Sequence, residues 1–250
     1  MEKMFDCAMD IGEQMLTSGA EVHRVEESIQ RMCLAFGAAR VDAFVIITSM
    51  VVTIYMDHGE SCTQTRRITS VDADFEKLHR LNQLSRRICA QTMTEQEIRA
   101  ELEEIMAGKR YSFKMECFFC AVVAGAFTLF FGGTLTEALL SLLAGGLVRF
   151  CIWLLEKRFS NKLFSKFLST ALATFLAFSC VRVGWIDDVD KIIIGNIMTL
   201  IPGIGLTNAL RDLFTGDGIA GILRCIDAVL TALAIVAGYF LVAVLGGFVA

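Results

Sequence analysis

Between Ile192 and Leu210 the chain carries no charged side chain, and within that run stands Pro202, the one proline of the sequence, with Gly203 and Gly205 behind it. Proline lacks an amide hydrogen and its ring collides with the carbonyl four residues back, so a helix kinks or breaks there. The two glycines leave the next turn without side chains to stiffen it. At bilayer depth such freed backbone groups are tolerated only where protein or water covers them, and broken helices in transporters present their half-helix ends to solutes. Asn196, Thr199, Thr207 and Asn208 bracket the break with neutral hydrogen-bonding groups, and Arg211 and Asp212 follow it. Proline kinks also occur in purely structural membrane helices, so the charges matter more. Arg149 lies inside another apolar run, and Asp227 opens the last one with Arg224 one turn before it, at pairing distance on a helix. Charged groups at depth are costly and usually face a cavity, a partner or a relay. Arg149 could instead snorkel to the interface and Asp227 could lie in it. Taken with the break, the charges describe a polar route through a helical bundle.

The elements that must position these groups follow from hydropathy. The chain is 55% apolar, with 23 Lys+Arg and 27 Asp+Glu. Residues 1–115 hold 14 of those basic and 18 of those acidic residues, leaving 9 of each for 116–250. The expectation is a small α+β cytoplasmic domain over 1–115 and an α-helical integral membrane bundle over 116–250. Apolar runs near 117–135, 138–155, 163–182, 192–210 and 226–249 give about five spans, one of them broken. Gly125, Gly145, Gly146 and Gly238 suit close helix approach in lipid. Lys109, Arg110 and Lys114 precede the first span and the loop from Glu156 to Lys166 is basic, whereas the loop holding Asp187, Asp188 and Asp190 is acidic. The positive-inside rule then puts the N-terminal domain in the cytoplasm of a multi-pass plasma-membrane protein. If 192–210 re-enters instead of crossing, the C-terminus changes side. The acidic N-terminus has no continuous apolar stretch and does not read as a signal peptide. A net charge of −4 without a basic run in the first half argues against nucleic acid.

In the first half, Ser18-Gly-Ala-Glu21 and Thr94-Glu-Gln-Glu97 read as capping boxes opening helices. Gly37 and Gly108 read as their stops, and Asp72 or Asp74 as the cap of a helix between them. A weaker helix runs from about Met4 to Leu16. The β-branched stretch VDAFVIITSMVVTIYMD gives one long or two short strands closing on Asp57-His58-Gly59, with a partner strand near Cys62 to Thr69. His23, Arg24 and Glu26 cluster on one helix, where acid–base chemistry competes with a plain solvated face. No Walker A, HExxH or GxSxG motif is present, and no catalytic residue, metal site or cofactor is expected. The odd count of nine cysteines reads as reduced thiols, including Cys117 and Cys120 within an apolar span.

The blocks GEQMLTSGAEVHRVEESIQRMCLAFG, VDAFVIITSMVVTI, DFEKLHRLNQLSRRI and LIPGIGLTNALRDLFTGDGIAGILR, in this order over nearly the whole chain, resemble the threonine/serine exporter family. The chain is similar to its N-terminal half-type members, such as one component of a bacterial two-component succinate exporter. The resemblance implies export of small hydrophilic carboxylates (threonine and serine, or succinate-like dicarboxylates), driven by the proton motive force. It also implies a small hydrophobic membrane protein as partner, supplying a second helical block, with a homo-oligomer open. The family motif maps onto Gly19, Glu21, Arg24 and Glu26 and onto Pro202, Gly203, Asn208, Arg211, Asp212, Gly216, Asp217 and Arg224. From the break and the charges, Asn196, Thr199, Pro202, Gly203, Gly205, Asn208, Arg211 and Arg149 are the residues expected to line the substrate path. Arg211, or the half-helix N-terminus after Pro202, suits a carboxylate, and Asp212 or Asp227 suits proton coupling. The competing reading is a membrane-anchored ligand sensor or regulator, for which a broken helix and an intramembrane arginine have no use. A membrane-embedded enzyme would want paired carboxylates or histidines in the spans, which the sequence lacks.

Overall fold

A computed structural model describes residues 2–108, 111–159, 161–186 and 189–246. Of the residues behind the topology expectations, Lys109, Arg110, Asp187 and Asp188 lie outside these ranges. The elements run α1 (Glu2–Thr17), α2 (Val22–Ala35), β1 (Arg40–Ile46), β2 (Ser49–Tyr55), β3 (Ser61–Arg67), α3 (Phe75–Ala90) and α4 (Glu95–Met106). Then follow α5 (Phe113–Phe130), α6 (Leu135–Arg158), α7 (Lys162–Arg182), α8 (Asp190–Met198), α9 (Gly203–Thr215) and α10 (Gly218–Leu245). Helices α5, α6, α7 and α10 are long and apolar enough to cross a membrane, and α8 with α9 forms a further, broken candidate bent by 57°.

The chain folds as two compact units, 1–109 with 204–225 and 110–203 with 226–250. The first unit therefore takes in a segment that hydropathy alone assigns to the membrane half. Its sheet is an antiparallel meander, β1-β2-β3, paired from Arg40↔Tyr55 to Ile46↔Ser49 and from Ser49↔Arg67 to Tyr55↔Ser61. The β-branched stretch is thus two strands, turning at Ile47-Thr48. Strand alternation sends Met50, Val52 and Ile54 into the core, where each is 1% exposed or less. There they meet Phe5, Met9 and Met15 of α1, Val25 and Ile29 of α2, and Leu81 and Leu84 of α3.

The capping box at Thr94 forms with both reciprocal hydrogen bonds, and Asp74 caps α3 through the Lys77 amide at 3.0 Å. The box expected at Ser18 does not form. Gly19 takes φ +94 and the turn closes α1 instead: the Gly19 amide donates to Leu16 O and the Ala20 amide to Met15 O, both at 3.1 Å. That is the paired hydrogen-bond pattern of a helix C-terminus closed by a left-handed glycine. Ser18 is buried with its hydroxyl lacking a hydrogen-bond partner among the described residues. Helix α2 starts four residues after Ser18, at Val22, and its N-cap residue, Glu21, makes no side-chain hydrogen bond to the helix amides.

The second unit is a helical bundle held by close backbone approach. A Cβ on Gly195 of α8 would stand 2.2 Å from Thr128 Oγ1 and 2.6 Å from Ala124 O of α5. Gly145 of α6 meets Ala124 of α5, and Gly238 of α10 meets Phe167 O of α7. Small residues let helices touch in this way where lipid offers no hydrophobic drive for association.

Candidate functional site

In the second unit the polar groups gather where α5, α6 and the end of α8 meet. Helix α8 leaves helical geometry after Met198, and α9 begins at Gly203. Pro202 has no N–H to return to the Met198 carbonyl, so the ladder stops here. The turn is stitched by Leu200 N to Ile197 O at 2.8 Å and by Gly203 N to Ile201 O at 2.9 Å. Thr199 caps α8 with its hydroxyl on Asn196 O at 2.7 Å. Asn196 is fully buried and donates to Ser141 Oγ of α6 at 3.0 Å and to Ile192 O at 2.9 Å, while its Oδ1 has no partner among the described residues.

Beside this break lies a cavity of about 490 Å³, lined by Tyr111, Glu116, Phe119, Cys120, Val123, Arg149, Met198 and Thr199. Arg149, from the middle of α6, forms an ion pair across to Glu116 in the first turn of α5, and its other terminal nitrogen lies 3.9 Å from Glu156. The site thus presents a guanidinium and a carboxylate side by side in a lining that is otherwise largely apolar and includes Thr199. Glu116 was not among the residues singled out from sequence. An acid in a first turn reads as an ordinary helix cap, and only the α5–α6 packing shows that it faces Arg149.

In the first unit the remaining polar groups form a different structure, a clamp on the turn between α1 and α2. Asn208 donates to Gly19 O at 3.2 Å, Arg211 pairs with Glu21, and Arg224 donates to Ala20 O at 2.8 Å. Arg224 Nε also lies 3.0 Å from Asp212 Oδ2, with both side chains buried. Asp212 faces the Val22 amide and so supplies a negative group to the α2 N-terminus where Ser18 does not. Arg224 therefore pairs with Asp212 and not, as the one-turn spacing suggested, with Asp227. Asp227 is exposed on α10, and it interacts electrostatically with Lys166 of α7. Pro202 and Gly205 are half-buried, and a Cβ on Gly203 would meet open space. Thus Asn196, Thr199 and Arg149 stand together in the second unit, while Asn208, Arg211 and Asp212 stand together in the first.

Also in the first unit, Glu26 accepts a hydrogen bond from the Val45 amide at 2.7 Å. Burial pushes its carboxyl above the usual range, the amide opposing the shift and the charge of Asp217 adding to it. The Cys33 thiol is pushed up to about 12 by burial. Among the described residues no group of three His, Cys, Asp or Glu side chains is placed to hold a metal ion.

Four helices of spanning length, with a bent further candidate and a paired arginine and glutamate in the helical unit, define a multi-pass membrane protein. Comparison with known proteins gives the family. Residues 6–246 match the family model described as "Putative threonine/serine exporter", and the chain belongs to that family, one of transporters and not of enzymes. A curated relative from Mycobacterium tuberculosis named "Probable threonine/serine exporter" is 21% identical over 238 residues, 94% of this chain and 45% of the relative. The chain thus spans just under half the length of that relative. No solved structure matches it.

Proposed function

We propose that this chain is one half of a secondary exporter that carries threonine, serine or related small carboxylates, succinate-like dicarboxylates included, out of the cytoplasm. The observation that carries the reading is the family match over residues 6–246. Three features support it. The interruption at 199–202 leaves polar backbone inside an apolar helical unit, which membrane proteins tolerate where a cavity or protein covers it. Arg149 offers a planar cation suited to a carboxylate. Asp227, exposed on α10 beside Lys166, is a carboxylate able to carry a proton as a solute moves; proton motive force would supply the drive. By the positive-inside rule the basic α6–α7 connection and the first unit face the cytoplasm. The family relative is about twice as long as the matched segment, which fits a small hydrophobic membrane partner, or a second copy, completing the path.

The test is efflux from cells preloaded with labelled threonine, serine or succinate, with and without this chain and its partner. Faster release with both chains supports the exporter; unchanged release of all three refutes it. Full-rate transport by this chain alone in liposomes would refute the need for a partner.

One observation favours the sensor reading. A groove of about 270 Å³ in the first unit is lined by Arg24, Arg31 and Arg86 with Glu27, Ser28, Asn82 and Ser85. Arg31 pairs with Glu27 and Arg24 with Glu21, and Arg86 is the cation there that suits an anionic effector. Arg86→Ala leaving the rate and substrate dependence of export unchanged would dismiss it.

A further inference from the structure

From the cavity beside the helix break we infer that Glu116 and Arg149 together form a binding site for the two charged ends of an α-amino acid. Glu116 is the residue that selects amino acids over dicarboxylates. The inference rests on the exporter reading and narrows its substrate class.

Arg149 and Glu116, at 23% and 35% exposure, are partly sheltered and neutralise each other, while Glu156, half-exposed and 3.9 Å from the other terminal nitrogen of Arg149, adds one further negative charge beside the pair. A solute entering between them must replace what each group loses. A zwitterion does so at no change in charge: its carboxylate takes the guanidinium fork, and its ammonium takes the Glu116 carboxylate. A dicarboxylate satisfies Arg149 but sets its second carboxylate against Glu116, a like-charge contact that sites use to reject wrong partners. A plain monocarboxylate leaves Glu116 without a cation. The dimensions agree with a small solute, since about 490 Å³ lies within the range of small-molecule sites. The rest of the lining fits a short side chain. Phe119, Val123 and Met198 are apolar, whereas Thr199, whose hydrogen is donated to Asn196 O, keeps hydroxyl lone pairs free to accept. A ligand hydroxyl can donate there without disturbing the cap of α8. Glu116 and Arg149 come from neighbouring helices and Thr199 from the end of the broken one, so a bound amino acid would join α5 and α6 to the interruption.

The bland alternative is an ion pair that merely ties α5 to α6. The two are separated by binding of labelled threonine to the purified full chain in detergent, competed with serine, succinate and 2-hydroxybutyrate. The wild type should bind threonine, with serine competing and succinate weaker by at least tenfold. Glu116→Gln should lose threonine affinity at least tenfold and improve relative affinity for 2-hydroxybutyrate, which keeps the carboxylate and lacks the ammonium. The charge-exchanged variant Glu116→Arg/Arg149→Glu restores a tie between the helices but not the positions of the two charges. It should elute as a folded species on size exclusion and fail to bind threonine. Threonine affinity within twofold of wild type in Glu116→Gln or in the exchanged variant overturns the inference, as does a wild type that prefers succinate. Failure of the exporter reading looks different: no release of threonine, serine or succinate from preloaded cells, whichever variant is expressed.

Discussion

Replacing Asp212 by asparagine removes one charge from a buried pair and keeps the shape of the side chain. Asp212 is inaccessible, Arg224 is 8% exposed, and they touch at 3.0 Å. At an effective dielectric of about 20, two unit charges at that distance attract by roughly 5 kcal/mol, and desolvation of both ions offsets much of this. Removing one partner leaves the other charged and buried, which costs about 3–5 kcal/mol. Arg224 keeps its bond to Ala20 O at 2.8 Å, so Asp212→Asn belongs at the lower end, about 3 kcal/mol. Arg224→Met loses that bond too and exposes the α1–α2 turn carbonyl, so it belongs at the upper end. Asp212→Leu/Arg224→Met buries no charge and should recover most of the loss. For a unit of this size 1 kcal/mol moves the midpoint by roughly 2–8 °C, so the single variants, at about 3–5 kcal/mol, should fall by about 6 °C or more. Both tryptophans, Trp153 and Trp185, lie in the other unit, so fluorescence is the wrong probe. Pulsed maleimide labelling of the buried Cys7 and Cys33, read by mass spectrometry along a temperature ramp, reports this unit. Single variants within about 1 kcal/mol of wild type, or a double variant no better than the worse single, would refute a clamp held by the pair.

Three further outcomes are expected. Pro202→Ala/Gly203→Ala returns a donor to the Met198 carbonyl and adds a Cβ only to open space; export should be lost while membrane insertion, read by carbonate extraction, stays normal. Gly195→Val drives side-chain atoms into Thr128 and the Ala124 carbonyl, overpacking worth about 1–3 kcal/mol, and should lower the thermal midpoint and the yield of folded protein, whereas Gly203→Val should leave both unchanged. Glu26 is raised in the folded state by burial, so the folded protein binds its proton more readily than the unfolded chain and wild-type stability declines as pH rises above the unfolded value. Glu26→Gln can still accept from Val45 and titrates no proton, so its midpoint advantage over wild type should grow from pH 4 to pH 7; a constant difference would contradict the shift.

Local signals carried far in this chain because many elements are decided locally. The Thr94 box needs only its own turn, the β-branched alternation fixes Met50, Val52 and Ile54 inward, and Gly37 stops α2 with the amide-to-Leu34 and Ala38-to-Cys33 bonds of a left-handed cap. Ser18 shows the limit. The same four residues could open one helix or close the previous one, and the positive φ of Gly19 favoured closure. The uncharged run 192–210 is long enough to span, yet its second half follows side chains that find partners some 190 positions away: Asn208 on Gly19 and Arg211 on Glu21. No periodicity encodes such a pairing. The resemblance had picked out both blocks without saying that they touch. Arg224 illustrates the same point, since Asp227 one turn away was the cheap partner on a helix surface and Asp212, brought in by the α9–α10 hairpin, is the buried one.

That solute passes beside the interrupted helix is tested most directly by the accessibility of Thr199. With the nine native cysteines replaced and Thr199→Cys introduced, a charged, membrane-impermeant thiol reagent should modify this position in the intact membrane. Threonine or serine at saturating concentration should slow the modification severalfold. A Thr199→Cys thiol that no such reagent reaches from either face of the membrane, or one modified at the same rate with and without the solute, would contradict a polar path at the break.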